Sequence, residues 1–244
     1  RMDADDIAHP ERMARQRAYL EAEPRLGVCG TRVEILEPSG SGRLRYARWL
    51  DRLTEHDAIV RELFVECPLP HPTFMMRREA YAAVGGYQDH GWPEDYDLLL
   101  RFWRGGWRLG KVPEPLLAWQ DSPERLSMVD ARYSDASFRA LKRHHLFETY
   151  LHNRPRFHQW GAGEVGKRWL KEWGDRRPEA VVDVHPRKIG QRVHGYTVID
   201  ARDLPDPGET YIVVAVGARG ARDDIRGKLT PRGFRELEDF LFLA

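Results

Sequence analysis

The chain has 244 residues, enough for one large domain or two modest ones. Its 39 basic and 38 acidic residues leave a net charge of +1, which gives none of the basic field that nucleic-acid binding requires. No apolar run approaches the roughly 18 residues of a transmembrane helix and no signal-peptide pattern opens the chain, so no membrane span is expected; a peripheral membrane contact stays open.

The chain begins Arg1-Met2-Asp3-Ala4-Asp5-Asp6. Asp3 and Asp5 make a D-x-D pair whose carboxylates point to the same side of an extended or turning backbone. Side by side they repel, and a hard divalent cation with oxygen ligands, Mn²⁺ or Mg²⁺, is the natural partner, itself holding a diphosphate. The plainer reading is negative charge placed before a helix N-terminus, with Asp6 as a cap or facing solvent. The first residue is not Met, and a catalytic run at a free end is poorly held, so further sequence upstream is expected.

Pro10 suits the first turn of a helix that should stop before Pro24. Leu26 to Cys29 is an apolar run ended by Gly30, and Thr31 to Leu36 alternates as a strand. Pro38 to Gly42 reads as a turn, and Tyr46 to Phe64 as mostly helix. Pro68, Pro70 and Pro72 impose an extended segment, followed by a buried strand at Thr73 to Met76. A short helix, Arg78 to Val84, closes at Gly85-Gly86. Glu94 to Trp103 reads as a helix packing Leu98, Leu99 and Phe102. Trp107 to Val112 and Leu116 to Trp119 read as extended, and Asp121 to Asn153 as polar and helical. Asn153-Arg154-Pro155 reads as a hinge. Cys29 and Cys67 form no C-x-x-C unit, and a reduced, cytoplasmic pair is expected.

A second acidic cluster, Glu94-Asp95-Tyr96-Asp97, opens the helix after a Gly-Trp-Pro turn. A carboxylate there deprotonates a hydroxyl if it lies within about 3 Å of it. The alternative is helix capping, with Asp97 paired to Arg101 at i,i+4. His71 approaches an acceptor or phosphate, or only bonds a turn. Trp92 stacks on a sugar ring, or is core. Arg101 and Arg104 meet phosphate, or line a solvated face.

These blocks resemble a family. Arg1 to Ile7 with Pro10-Glu11-Arg12 and Gln16, then His71-Pro72-Thr73, Met76-Arg77-Arg78, Gly85-Gly86-Tyr87, Glu94 to Leu98 with Arg101, and Pro113 to Leu116, look like the middle of a family 2 glycosyltransferase. The resemblance covers roughly residues 1–126. It implies a GT-A fold and a nucleotide-sugar donor, with a UDP-sugar expected. Asp3 and Asp5 would lie near ribose, metal and diphosphate, with Asp6 assisting. Asp95 would be the base of an inverting transfer and Glu94 a positioning group. The acceptor would be a saccharide or lipid-linked hydroxyl. Family members carry a nucleotide-binding half before the D-x-D, and none precedes Asp3 here.

The rhythm then changes. Phe157 to Trp160 reads as a strand, followed by Gly161-Ala162-Gly163-Glu164-Val165-Gly166 and a helix. This G-x-G-x-x-G suits close approach of backbone N–H groups to a phosphate. Asp183, at the end of the next strand, stands where a ribose-binding acid is expected. Tyr211 to Val216 is a further strand, Asp223 to Leu229 a helix, and a parallel βαβ unit follows. Arg219 and Arg222 are candidate phosphate contacts. Asp183 to Gly190 resembles the D-x-x-P-x-K-I-G segment in the N-terminal domain of sugar O-acyltransferases, a resemblance covering about 157–244.

The expected fold is α/β: part of a GT-A domain at 1–126, a helical connector at 127–155 and a Rossmann-like parallel-sheet domain at 156–244. The expected function is metal-dependent, inverting sugar transfer in polysaccharide or glycoconjugate synthesis, in the cytoplasm or at its membrane face. The alternatives are a nucleotide-binding or regulatory module and, on the glycine motif alone, an NAD-dependent oxidoreductase.

Overall fold

The structure, a computed structural model, describes residues 1–36, 40–121, 130–154 and 156–244. Pro38 and Ser39 of the expected turn, residues 122–129 of the expected helical stretch and the hinge residue Pro155 lie outside them. The chain divides into two compact units, both α/β with mixed sheets: Arg1–Leu63 with Cys67–Phe138, and Phe64–Glu66 with Arg139–Ala244.

The first unit carries a four-stranded sheet in the order β1, β4, β2, β3. These strands are β1 (Ile7–Ala8), β2 (Leu26–Leu36), β3 (Met75–Met76) and β4 (Arg108–Gln120). β2 and β4 run parallel; β1 and β3 pair antiparallel at the two edges. β2 does not end at Gly30 but runs through it. A Cβ at Gly30 would lie 2.8 Å from Thr73 Oγ1, so the glycine marks a close approach, not a strand end. The two extended pieces around Pro113 and Pro115 are likewise one strand. Its register against β2 jumps from Thr31–Val112 to Arg32–Pro115, so Pro113 and Glu114 bulge out where no ladder N–H is needed.

Helix α1 (Arg12–Ala22) stops before Pro24 as the sequence indicates. The expected helix over 46–64 is two, α2 (Ser41–Asp51) and α3 (His56–Glu62). Thr54, in the gap, accepts the Lys111 N–H of β4 on its carbonyl. The proline segment is not extended throughout: His71–Thr73 form one 3₁₀ turn, with Thr73 N and Oγ1 both donating to Pro70 O. Helix α4 (Arg78–Ala83) ends in Gly85 and Gly86, both at positive φ.

Helix α5 (Glu94–Arg104) is the core of this unit. Tyr96, Leu98, Leu99, Leu100 and Phe102 are all fully buried, so it is wrapped on nearly every side. Tyr96 Oη donates to Leu63 O at 2.5 Å, and Arg101 pairs with Asp97 at 2.7 Å while donating to Val84 O. Helix α6 (Asp135–Glu148) contains the division between the units.

The second unit is a six-stranded sheet in the order β10, β9, β5, β6, β8, β7. Its strands are β5 (Phe157–Trp160), β6 (Val181–Asp183), β7 (Arg192–Val193), β8 (Tyr196–Asp200), β9 (Tyr211–Val214) and β10 (Phe240–Phe242). All pairs are parallel except the β7–β8 hairpin. The order grows from β5 to one side through β6 and β8, then to the other through β9 and β10, so the switch point lies between β5 and β9. Helices α7 (Glu164–Glu172) and α8 (Ala221–Leu229) follow β5 and β9. Trp160, Val182, Ile212, Val214, Phe240 and Phe242 form its core, and Val65 packs against them. Among the described residues no helix is long and apolar enough to cross a membrane, and Cys29 and Cys67 are not joined by a disulfide.

Candidate active site

The buried face of α5 fixes its first turn, and that turn presents Glu94 and Asp95. Tyr133 Oη donates to Glu94 Oε2 at 3.0 Å. Asp95 Oδ2 lies 4.0 Å from His71 Nδ1, and His71 Nε2 lies 2.7 Å from Tyr87 Oη. Burial pushes the His71 pKa down to about 3, helped by the Arg1 charge. A carboxylate at 4.0 Å pulls the other way, but burial wins because the separation is beyond hydrogen-bond length. The imidazole is therefore neutral near pH 7. Burial, reinforced by Asp95, pushes the Tyr87 and Tyr133 phenols up, so both stay protonated.

The acidic run at the chain start is tied to this group. Arg12 is buried, and its Nη2 donates to Arg1 O at 2.9 Å and to Pro72 O at 2.6 Å, so the 3₁₀ turn carrying His71 and the acidic run share one guanidinium. Arg12 Nε donates to Gln16 Oε1, and Gln16 Nε2 donates to Thr73 O at 2.7 Å. Asp3 pairs with Arg1 at 2.7 Å, and Asp5 is exposed. Asp6 is not a helix cap: it is buried, and its Oδ1 accepts from Gln120 N at 2.9 Å at the end of β4. Burial, with Asp3 and Asp5 adding repulsion, raises its pKa. Among the described residues no group of three or more His, Cys, Asp or Glu is arranged to hold a metal ion. Asp3 and Asp5 are the two carboxylates of the run not taken into the fold as Asp6 is, Asp3 being partly exposed and Asp5 exposed.

Trp92 is half-buried, with its ring 5.1 Å from His90. Arg101 is held by Asp97 and Val84 O, which accounts for it without a phosphate. Tyr133 carries no sequence signal, being 39 residues from the carboxylate it touches. Tyr87 stands beside a glycine pair, and that position is its one visible cue.

In the second unit a cleft of about 480 Å³ opens at the switch point, between the segments after β5 and β9. Gly161, Gly163 and Asp183 line it, together with Lys188, Lys228 and His185; Arg219 and Arg222 are not among its lining residues. Gly161 has φ +120°, and a Cβ at Gly166 would fall 1.9 Å from Gly161 O, so these two glycines close the turn on itself. Asp183 is engaged from two loops: it accepts from Ala162 N of the glycine turn at 3.0 Å, and from His185 N and Lys188 Nζ of its own loop, each at 2.9 Å.

Curated proteins align with this chain over about half its length, and they are sugar transferases. The chain is similar to glycosyltransferases. The amylovoran biosynthesis glycosyltransferase AmsE of Erwinia amylovora is 32% identical over 117 residues, 48% of this chain and 42% of AmsE. EpsE of Bacillus subtilis, whose name gives the same activity provisionally, is 31% identical over 137 residues, 55% of this chain and 47% of EpsE. The O-antigen biosynthesis glycosyltransferase WbnJ of Escherichia coli is 30% identical over 103 residues, 41% of this chain and 37% of WbnJ. The chain thus spans less than half the length of these glycosyltransferases. No known protein-family profile matches it.

Proposed function

We propose that the first unit is the diphosphate and acceptor side of an inverting glycosyltransferase of family 2 with a GT-A fold. The donor is a nucleotide sugar, a UDP-sugar by family expectation, and the acceptor is a hydroxyl of a saccharide or lipid-linked saccharide. The product belongs to a polysaccharide or glycoconjugate. The observation that carries the reading is the Asp95 carboxylate, set on the first turn of the most deeply packed helix and tied through the His71 turn and Arg12 to the acidic run. A base must be held rigidly against its substrate, and a helix anchored by five fully buried side chains supplies that rigidity.

Asp95 takes the proton of the acceptor hydroxyl, whose oxygen attacks the anomeric carbon from the face opposite the leaving diphosphate. Glu94, oriented by Tyr133, positions the acceptor. Asp3 and Asp5, with Asp6 bracing the turn, would hold Mn²⁺ or Mg²⁺, which when bound neutralises charge on the diphosphate. His71 and Trp92 lie on the acceptor side.

The test is Asp95→Asn assayed for sugar transfer and, separately, for donor binding. Loss of transfer by 10² or more, on the order expected for a missing general base, with donor binding intact supports the reading. Equal loss of both refutes the base assignment. Calorimetric titration of the chain with UDP, with and without Mn²⁺, checks the acidic run, and Asp3→Ala/Asp5→Ala should abolish the metal-dependent component.

A second reading concerns the other unit, which we propose is a Rossmann-like nucleotide-binding or regulatory module. The cleft at the switch point supports it, because ligands of open α/β sheets bind there. UDP binding that survives both metal removal and the double variant would place the nucleotide in this cleft. Hydride transfer from NAD draws no support from Asp183, whose carboxylate already takes three hydrogen bonds, from Ala162 N, His185 N and Lys188 Nζ.

A further inference from the structure

We infer that Tyr87 and His71 act together as positioning residues that hold an N–H donor on the Asp95 carboxylate, with Tyr87 Oη–H donating to His71 Nε2 and His71 Nδ1–H facing Asp95. The inference rests on the reading of Asp95 as the base.

The tautomer follows from what each partner can do. A carboxylate only accepts, so the ring nitrogen facing Asp95 Oδ2 is satisfied only if it carries the proton. The other nitrogen is then bare and accepts, and Tyr87 Oη at 2.7 Å is a hydroxyl that can donate to it. The opposite tautomer would aim a lone pair at a carboxylate. The ring is not free to turn away. His71 packs edge-on against buried Phe74, with centroids 5.1 Å apart, and its 3₁₀ turn is closed by Thr73 and held by Arg12. Tyr87 is held in turn by Tyr81, whose Oη accepts the Tyr87 backbone N–H at 3.2 Å. The neutral state of His71 and the protonated state of Tyr87 agree with this arrangement.

The 4.0 Å separation is longer than a hydrogen bond, as base contacts often are before substrate is seated. When it closes, the donor fixes the plane of the carboxylate toward the acceptor. In the transfer step the acceptor oxygen forms the new bond to the anomeric carbon. The bond to the diphosphate oxygen breaks with its electron pair, and the hydroxyl proton ends on Asp95. His71 and Tyr87 keep their protons throughout.

The experiment is long-range ¹H–¹⁵N correlation of imidazole signals in the 244-residue chain at neutral pH. His71 is assigned by the signal that disappears in His71→Asn. The expected result is a single Nδ1–H tautomer, becoming a mixture of tautomers in Tyr87→Phe, while circular dichroism shows both proteins folded. An Nε2–H tautomer, or one unchanged by Tyr87→Phe, overturns the inference. Transfer assays add a readout that a merely structural role would not move. Asn places an amide N–H where Nδ1–H stood, so His71→Asn should lose less of kcat than His71→Gln, which, of similar size, should lose on the order of tenfold, short of the loss for the base itself. Equal activity of the two overturns the positioning role. Failure of the base reading looks different: Asp95→Asn would keep full transfer while the Nδ1–H tautomer persisted.

Discussion

Arg12 Nη2 donates to Pro72 O across 60 residues of sequence, at 2.6 Å and out of reach of water. The same guanidinium holds Arg1 O and Gln16. Arg12→Met should therefore destabilise the first unit by roughly 3 kcal/mol, since hydrogen bonds from a charged donor are lost and buried carbonyls are left unpaired. Arg12→Lys should rescue little, because an ammonium lacks the planar fork. Urea unfolding of the three proteins checks both statements.

Lys111 is fully buried, donating to Leu50 O at 2.5 Å at the end of α2. Burial pushes its ammonium down to about 7, against the pull of Asp51. The unfolded chain, with an ordinary lysine near pKa 10.4, then binds more protons than the folded one between about pH 7 and 10. Stability contributed by this group rises with pH through that window. Relative to Lys111→Met, the native protein should gain in urea midpoint from pH 7 to pH 10. A constant difference would show that Lys111 is charged in the fold.

Two glycines of one motif should respond oppositely. Gly166→Ala forces a Cβ onto Gly161 O and should cost about 3 kcal/mol or more. Gly163 has open space around its Cβ position and an extended backbone at the start of α7. Gly163→Ser can cap that helix and should gain a few tenths of a kcal/mol. Thermal unfolding of both variants reads the contrast.

Burial alone would raise the Asp183 pKa, but hydrogen bonds from Lys188, His185 N and Ala162 N override it and hold the carboxyl below its usual value. The stability this gives is present above the unfolded pKa near 3.9 and is lost as pH falls through the lower folded value. Asp183→Asn should be less stable than the native chain at pH 7, with the difference closing under acid denaturation below about pH 3.9.

The elements that were legible in sequence are those whose ends carry local chemistry. Helix α5 lies between a Gly-Trp-Pro turn and a glycine pair, and its bounds follow from that. Gly30 misled because a glycine read as punctuation is here a contact with Thr73, a residue 43 positions away. Strand β10 gives three apolar residues near the chain end and no periodicity to read, although it pairs along all of Phe240 to Phe242. At the candidate site the carboxylates were visible as clusters. Their partners were not, because Tyr133 reaches Glu94 through tertiary packing that no spacing records. Asp183 was visible as an acid in the right place, but its three loop donors come from backbone and side chain on both sides of it.

The second unit is discontinuous: three residues, Phe64–Glu66, belong to it although they precede the rest by more than seventy positions. Lys142 Nζ donates to Val65 O at 2.7 Å and to Leu243 O, and Val65 seals the sheet core. A gene fragment starting at residue 139 would thus encode a module with a hole in its wall and a buried lysine short of an acceptor. Recombination at that codon, in the laboratory or in a genome, would tend to yield insoluble chimeras unless the borrowed tripeptide travelled with it.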